Sequence, residues 1–156
     1  MLLELTPERI VNVWESLKDV LEETLPAGLG QDAEVLERLL RKFLAGEIHV
    51  LVSMAASEHE GKPMPSVVAV MVVGPHVDEF SGRSSLMVYV LYGFKAIPDW
   101  LYQEDFGQLC DWARGKGYTQ ISAFSEVTRI VDMWKASGGD ASKVFLSYDL
   151  GSEDTL

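Results

Sequence analysis

The sequence is poor in cysteine and in basic residues. Cys110 is its one cysteine, so no disulfide can form within the chain and a reducing, cytoplasmic setting is expected. Thirteen lysine and arginine residues stand against 24 aspartate and glutamate residues, which gives a formal net charge of −11. Such a charge repels nucleic acid over long range unless basic groups are clustered, and the sequence shows no basic cluster. We therefore expect no nucleic-acid partner.

Long apolar runs and paired metal ligands are also missing. No apolar run approaches the roughly 18 residues that a membrane-spanning helix needs, and the first residues lack the pattern of a signal peptide. We therefore expect no membrane association. His49, His59 and His76 are scattered without the spacing of paired ligands, so no metal site is predicted. Cys110 lies in a helical apolar pattern, which favours a buried structural cysteine over a nucleophile.

The length and the apolar content are those of one globular domain. A chain of 156 residues, 47% of them hydrophobic, is long enough to bury a core of its own. We predict a single domain over residues 1–150 and a flexible acidic tail over 151–156.

Two helices are predicted at the start of the chain. Thr6, Pro7 and Glu8 are typical of a helix start, and apolar residues then recur at spacings of three and four as far as about Leu25. The second helix is predicted from Asp32 to Ala45, with acidic residues early, basic residues late and a glycine as the stop.

After Gly46 the apolar residues alternate with a period of two, which predicts strands. Three strands are expected in EIHVLVSMA (47–55), SVVAVMVV (66–73) and SLMVYVLYGF (85–94), and the polar stretch ASEHEGKPMP (56–65) is interpreted as a loop. Consecutive strands with connections of this length favour an antiparallel meander.

The stretch CDWARGKGYTQISAF (110–124) joins a helix directly to a strand. The helix is predicted from Trp100 to about Gly115, and Gly115 and Gly117 provide its end. A fourth strand follows in YTQISAF (118–124), so a strand, a helix and a strand form a crossover and the third and fourth strands should be parallel. EVTRIVDMWKAS (126–137) predicts a last helix and KVFLSYDL (143–150) a last strand. The fold class is therefore α/β, with a mixed α+β sheet and the order α-α-β-β-β-α-β-α-β.

This order of elements resembles the Gcn5-related N-acetyltransferase (GNAT) superfamily. The resemblance lies in LCDWARGKGYTQISAF as the helix-to-strand junction and in VDMWKASGGDASKVFLSYDL as a late helix, glycine turn and strand. It spans about residues 6–150 and is greatest to short GNAT-like proteins of bacteriophages. The resemblance implies a GNAT-like fold with splayed parallel strands in the centre of the sheet.

The resemblance also implies a site for acetyl-CoA. In the family, pantetheine lies along the third strand, and the pyrophosphate binds to N–H groups that open the next helix, where the helix dipole favours an anion. The cofactor-binding residues implied in this sequence are Val88, Tyr89, Val90, Leu91, Tyr92, Gly93, Phe94, Lys95, Trp100, Leu101 and Tyr102.

The sequence departs from the family motif R/Q-x-x-G-x-G/A where the pyrophosphate should bind. GFKAIPDWLYQ (93–103) has no Gly-x-Gly, and Pro98 has no N–H to donate. Asp99, as a cap of the helix, would place a negative charge beside the phosphates, and Lys95 is the one cation nearby. Trp100 is expected to be exposed and would then mark a contact surface.

Two functions remain open. The degenerate motif favours a bacteriophage protein that acts as a structural or interaction component, in the virion or in the host cytoplasm, with a protein partner or as a homo-oligomer. The alternative is an acetyl-CoA-dependent N-acetyltransferase that acts on an amine of a small molecule or protein. Glu126 is the candidate general base for that reaction, although its position favours a first-turn glutamate that serves the helix dipole over a base.

Overall fold

The computed structural model describes residues 1–25, 28–125, 127–144, 146–148 and 150–151. The chain divides into two compact units, Met1–Ala123 and Phe124–Leu156. In its described part the first unit contains a five-stranded sheet and four helices, and the second contains one helix. No helix in these ranges is long and apolar enough to cross a membrane.

The chain begins with a short strand and three helices. β1 spans Leu2–Glu4, and the helices are α1 (Pro7–Asn12), α2 (Trp14–Thr24) and α3 (Ala33–Leu44). Thr6 caps α1 by accepting from the N–H of Arg9, and Asp32 caps α3 by accepting from the N–H of Glu34 at 2.9 Å. The cap at Thr6 stands where the sequence predicts a helix start, and Asp32, predicted as the first helical residue, is the cap of α3.

The single helix predicted from Thr6 to Leu25 is divided in two at Val13. The backbone of Val13, with φ of −107° and ψ of 11°, leaves the helical region. The resulting bend allows Ile10 of α1 and Leu17 of α2 to be buried in the same core, although the sequence contains no glycine or proline there.

The sheet contains four further strands in the order β1-β2-β3-β4-β5. They are β2 (His49–His59), β3 (Lys62–Val77), β4 (Ser84–Gly93) and β5 (Gln120–Ala123), with α4 (Asp99–Gly115) between the last two. Neighbouring strands are antiparallel except for β4 and β5, which are parallel. The predicted meander, the crossover and the mixed α/β fold class are confirmed.

The core lies on both faces of the sheet. On one face, side chains of α1, α2 and α3 pack on the strands, with Phe43 and Leu21 almost fully buried. On the other face, Leu109 and Ala113 of α4 pack on Leu86 and Val88 of β4. Helices on both faces bury the central strands, as their continuous apolar runs predict.

The loop prediction for residues 56–65 is wrong. These residues extend β2 and β3 into a hairpin whose two-residue turn is Glu60 and Gly61, with φ of 52° and 74°. Positive φ at both positions is typical of a tight hairpin turn. Charged residues and prolines are rare in strands, and here they occupy a largely exposed part of the hairpin, which explains why the pattern favoured a loop.

The second unit contains α5, which spans Thr128–Ala136. The last strand predicted at 143–150 is not formed by the described residues of that segment, which belong to neither helix nor strand. Their apolar side chains, including Val144, Leu146 and Tyr148, are exposed. Within the described sheet the parallel β4–β5 pair therefore lies at an edge and not in the centre, because no later strand pairs with β5.

The predicted division of the chain stays a prediction in two respects. The single domain over 1–150 stays a prediction, because the two compact units are described separately. The flexible acidic tail at 151–156 falls outside the described residues except for Gly151.

Candidate functional site

The candidate site lies where β4 continues beyond its partner β5. Parallel pairing begins at Ser85 and Gln120 and ends at Val88 and Ala123, whereas β4 itself continues to Gly93. Beyond Val88, no strand of the described sheet pairs with β4 on its β5 side. An open stretch of strand edge offers backbone N–H and C=O groups to an extended ligand.

A β-bulge marks the same point of β4. Val90 pairs with Val72 of β3 and Val88 pairs with Val73, so Tyr89 is one extra residue on β4. The extra residue changes which face the side chains occupy: Val88 belongs to the core under α4, whereas Val90 belongs to the core under α1–α3. Bulges of this kind bend a strand, and this one lies one residue after the parallel pairing ends.

The alternation of the β3–β4 ladder identifies which backbone groups face the open side. The N–H of Phe94 donates to the carbonyl of Val68 at 2.8 Å, so Phe94 and every second residue before it as far as Val90 face β3. The intervening residues, Leu91 and Gly93, therefore direct their N–H and C=O groups away from β3. These two residues form the backbone side of the candidate site.

The side chains predicted to contact a cofactor differ in exposure. Val88, Val90 and Leu101 are buried in the core, so only their backbones are available to a ligand. The exposed side chains are Tyr89, Leu91, Phe94, Lys95 and Trp100, and Trp100 is 66% exposed as expected. Tyr92 and Tyr102 are half-buried.

The first turn of α4 corrects one expectation. Pro98 is the N-cap of α4, and no side chain at this position caps the helix by a hydrogen bond. Asp99 is the first helical residue and is not the N-cap. The N–H groups of Leu101 and Tyr102 both donate to the carbonyl of Pro98 at 3.1 Å, which leaves the N–H of Trp100 for a ligand. The correction removes a capping side chain from the predicted phosphate site, but the negative charge of Asp99 stays in the first turn.

The charges around the site are few. Lys95 is the single cation between positions 88 and 102 and its side chain is exposed. On the α2 side, the hydroxyl of Tyr92 donates to the carboxylate of Glu23 at 3.0 Å. That hydrogen bond, followed by the negative charge of Glu23, raises the pKa of Tyr92 above 10.0. Burial raises the pKa of Tyr102 in α4 above its ordinary value.

Among the described residues, no catalytic set comes together at this edge. Glu126, the candidate base, lies outside the described residues. No group of three or more histidine, cysteine or acidic residues that could hold a metal is present in the part of the chain that is described. The features that sequence reasoning missed are the bulge at Tyr89 and the Tyr92–Glu23 contact, because both depend on neighbours distant in sequence.

Comparison with known proteins gives structural matches only. No protein-family model matches the sequence, and no curated protein matches it either. A probable acetyltransferase of known crystal structure is 14% identical with a TM-score of 0.66, and 99% of each chain is covered.

Two further solved structures are also acetyltransferases. Glucosamine-6-phosphate N-acetyltransferase from Arabidopsis thaliana is 12% identical with a TM-score of 0.61, covering 97% of this chain and 98% of that one. A predicted acetyltransferase from Clostridium acetobutylicum, crystallised with acetyl-CoA, is 11% identical with a TM-score of 0.62 and 96% of both chains covered. The chain therefore has the fold of these acetyltransferases, as the resemblance to GNAT proteins implies. The comparisons give no support to a bacteriophage origin or a virion role.

Proposed function

We propose that this chain is an acetyl-CoA-dependent N-acetyltransferase that acts on an amine. The observation that carries the proposal is the edge of β4 beyond the bulge at Tyr89, which is open in the described sheet of a chain with an acetyltransferase fold. Acetyl-CoA, when bound, supplies an acetyl group already activated as a thioester, so the protein's task is to bind and orient the two reactants.

The residues present fit the extended part of this cofactor. Leu91 and Gly93 direct amide groups to the open side of β4, and these can pair with the amides of the pantetheine arm as a strand pairs with its neighbour. The N–H of Trp100 and the ammonium of Lys95 are the donors available for the pyrophosphate. The phosphate end is thus held by fewer donors than a glycine-rich loop offers, which predicts weak cofactor binding.

The charge of the chain bears on the acceptor. Amines are largely ammonium ions at neutral pH, and a protein of net charge −11 attracts cations and repels anionic acceptors. The acceptor must lose a proton before it can attack, and Glu126 is retained as the proposed base on its sequence position. An amine of a small molecule or of a protein meets these requirements.

Calorimetric titration of the purified protein with acetyl-CoA and with CoA tests the proposal. The informative variant is Leu91→Pro: Leu91 pairs with Met71 at a position that does not bond to β3, so proline removes an N–H from the open edge and leaves the ladder intact. Leu91→Ala is the matched control, because it removes the side chain and keeps the N–H. We expect binding by the wild type and by Leu91→Ala, and a loss of about tenfold in Leu91→Pro, the effect of one good hydrogen bond.

Two outcomes decide against the proposal. If titration of the folded wild type with either ligand gives no heat of binding, the chain is not an acetyl-CoA enzyme. The alternative of a structural or interaction component is then favoured. Release of the CoA thiol measures acetyl transfer to a panel of amines. If the wild type binds the cofactor but transfers no acetyl group to any of these amines, the enzymatic part of the proposal fails.

A further inference from the structure

The hairpin of β2 and β3 extends beyond the rest of the sheet. β1 pairs with β2 only as far as Met54, and β4 reaches β3 only as far as Val68. Residues 55–59 and 62–66 consequently pair only with each other in the described structure, and we call this part the ribbon. A two-stranded ribbon is at best marginally stable alone in water, so further strand pairing would stabilise it.

One edge of the ribbon is blocked by prolines. The turn at Glu60 and Gly61 makes His59 and Lys62 a bonded pair, so Pro63, opposite Glu58, and Pro65, opposite Ala56, fall at non-bonded positions. At such positions the backbone nitrogen faces outward. Both outward nitrogens of β3 therefore lack a hydrogen, which is how natural sheets protect an edge from pairing.

The other edge of the ribbon, formed by β2, is unprotected. Every second residue of β2 directs its backbone N–H and C=O groups away from β3. The carbonyl of Val50 accepts from the N–H of Leu5 at 2.9 Å, and Val52 pairs with Leu3. Met54 exchanges both backbone hydrogen bonds with Met1, at 2.8 and 2.9 Å. The same series continues with Ala56 and Glu58. No strand among the described residues pairs with these two, and their neighbours Ala55 and Ser57 have small side chains that permit close approach.

We propose that a second copy of this chain pairs antiparallel along residues 55–59 of β2. The two copies would be related by a two-fold axis at Ser57, and the sheet would continue from one copy into the other. Ala56 of each copy would exchange both backbone hydrogen bonds with Glu58 of the other. A two-fold contact of this kind uses the same surface on both molecules, and one unprotected edge on each copy satisfies it.

The register of the two paired β2 strands is set by the residues on either side of Ser57. A shift toward Met54 would place the incoming strand on backbone groups that Met1 already occupies. A shift toward the turn would set Glu58 directly opposite its own copy, where like charges are destabilising. In the proposed register Glu58 faces Ala56 and His59 faces Ala55, so each large polar side chain is opposite a small one.

An apolar hollow next to this edge supports the same interface. It has a volume of about 310 Å³ and is lined by Met1, Met54, Ala55, Ala56 and residues 63–65, all of them apolar. Methionine side chains are flexible and adapt to a contacting surface. The incoming strand would lie along the border of this hollow and cover part of it, which adds apolar burial to the backbone bonds.

The test is the oligomeric state of the full chain, measured by sedimentation equilibrium from about 10 µM to about 1 mM, where a small interface assembles. The informative variant is Ala56→Pro, which removes an outward N–H without removing a bond to β3. Pro65→Ala, at the directly opposite residue on the blocked edge, is the matched control. We expect a monomer–dimer equilibrium in the wild type and in Pro65→Ala, and its loss in Ala56→Pro.

Amide hydrogen exchange locates the contact independently. In the dimer the N–H groups of Ala56 and Glu58 should exchange about tenfold more slowly than in a dilute sample, whereas that of Met64 should not change. A wild type that stays monomeric over the whole concentration range would overturn the proposal. The partner of this edge would then be a strand from another protein. A dimer that Ala56→Pro leaves intact, or whose protection lies elsewhere, would overturn it as well.

Discussion

The ring of Tyr89 lies over Gly74 of the neighbouring strand. A Cβ atom at position 74 would come within 3.2 Å of Tyr89 Cε2 and within 3.3 Å of Ile48 Cγ1. The hydroxyl of Tyr89 also donates to the carbonyl of Pro75 at 3.3 Å. The extra residue of the bulge is thus anchored to β3 at the point where β4 loses its partner β5.

Filling this space should disturb the bulge. We expect Gly74→Val to lower the free energy of unfolding by about 1–3 kcal/mol, because the added methyl groups have no room beside the Tyr89 ring. Gly107→Ala is the control: its added Cβ meets no atom within 4 Å beyond its chain neighbours and the local helix backbone, and alanine should stabilise α4 by up to about 1 kcal/mol. Chemical denaturation of both variants measures the difference. Equal stability of Gly74→Val and wild type would show that the ring is not held there.

The buried hydrogen bond from Ser53 to Asp105 joins β2 to α4. The hydroxyl of Ser53 donates to one carboxylate oxygen, and the other lies 3.3 Å from the α-ammonium of Met1 in an ion pair that lacks hydrogen-bond geometry. We expect Ser53→Ala to cost about 1.5–3 kcal/mol, since a buried charged group loses a donor.

Ser66→Ala is the matched control for that change. The buried hydroxyl of Ser66 has no hydrogen-bond partner among the described residues, so its removal should be neutral or stabilising. Thermal unfolding of the two variants measures both effects. A Ser53→Ala protein as stable as Ser66→Ala would contradict the importance of the Asp105 contact.

The turn between β3 and β4 should depend on pH through Asp78. Its carboxylate accepts from the N–H of Phe80 at 2.8 Å and from that of Ser81 at 3.3 Å, and these bonds lower its pKa below the ordinary 3.8. A lowered folded-state pKa stabilises the fold above 3.8, and this contribution disappears as the pH falls through the lowered value.

The matching measurement compares the stability of wild type, Asp78→Asn and Asp78→Ala as a function of pH. Wild type should exceed Asp78→Ala at neutral pH. In strong acid this advantage should shrink toward that of Asp78→Asn, because the protonated carboxyl keeps only a neutral accepting oxygen. Asp78→Asn keeps an accepting oxygen that does not titrate, so its difference from Asp78→Ala should not change with pH through this group. A wild-type advantage over Asp78→Ala that is as large in strong acid as at neutral pH would count against the assignment.

Lys95 should contribute to cofactor binding through its charge. An exposed ammonium near a phosphate is worth about 0.5 kcal/mol, so Lys95→Gln should weaken acetyl-CoA binding about twofold and Lys95→Glu further. Lys116→Gln, which removes a cation at the opposite end of α4, should leave binding unchanged. Titrations at low and moderate salt measure this. Identical affinity of the Lys95 and Lys116 variants would exclude a phosphate near Lys95.

The sequence predicted the elements whose signals are local. The helix starts near Thr6 and Asp32, the period-two strands and the strand–helix–strand crossover were all predicted from residues near one another, and the structure confirms them. β1 was missed because three residues pair with a strand about fifty positions away. The last strand predicted at 143–150 is not formed by the described residues of that segment, because an apolar pattern alone does not supply a partner.

The site was less predictable than the fold. The open edge of β4 depends on where β5 ends, and no glycine or proline at Tyr89 indicates the bulge in the sequence. Whether Asp99 caps α4 depends on backbone geometry at Pro98, which composition does not fix. Residues 88–95 were nevertheless located correctly on β4 and the loop that follows, because their alternation is strong.

The crossover from β4 through α4 to β5 has a consequence for the order of folding. β2, β3 and β4 are joined by short connections and can pair early, whereas β5 joins only after the long segment from 94 to 119 has closed. We expect pulse-labelled amides of β5 to become protected after those of β3. An intermediate with a formed meander and an unattached α4 would expose Leu86 and Val88 to water. Such a species would be the one that aggregates when the protein is refolded at high concentration.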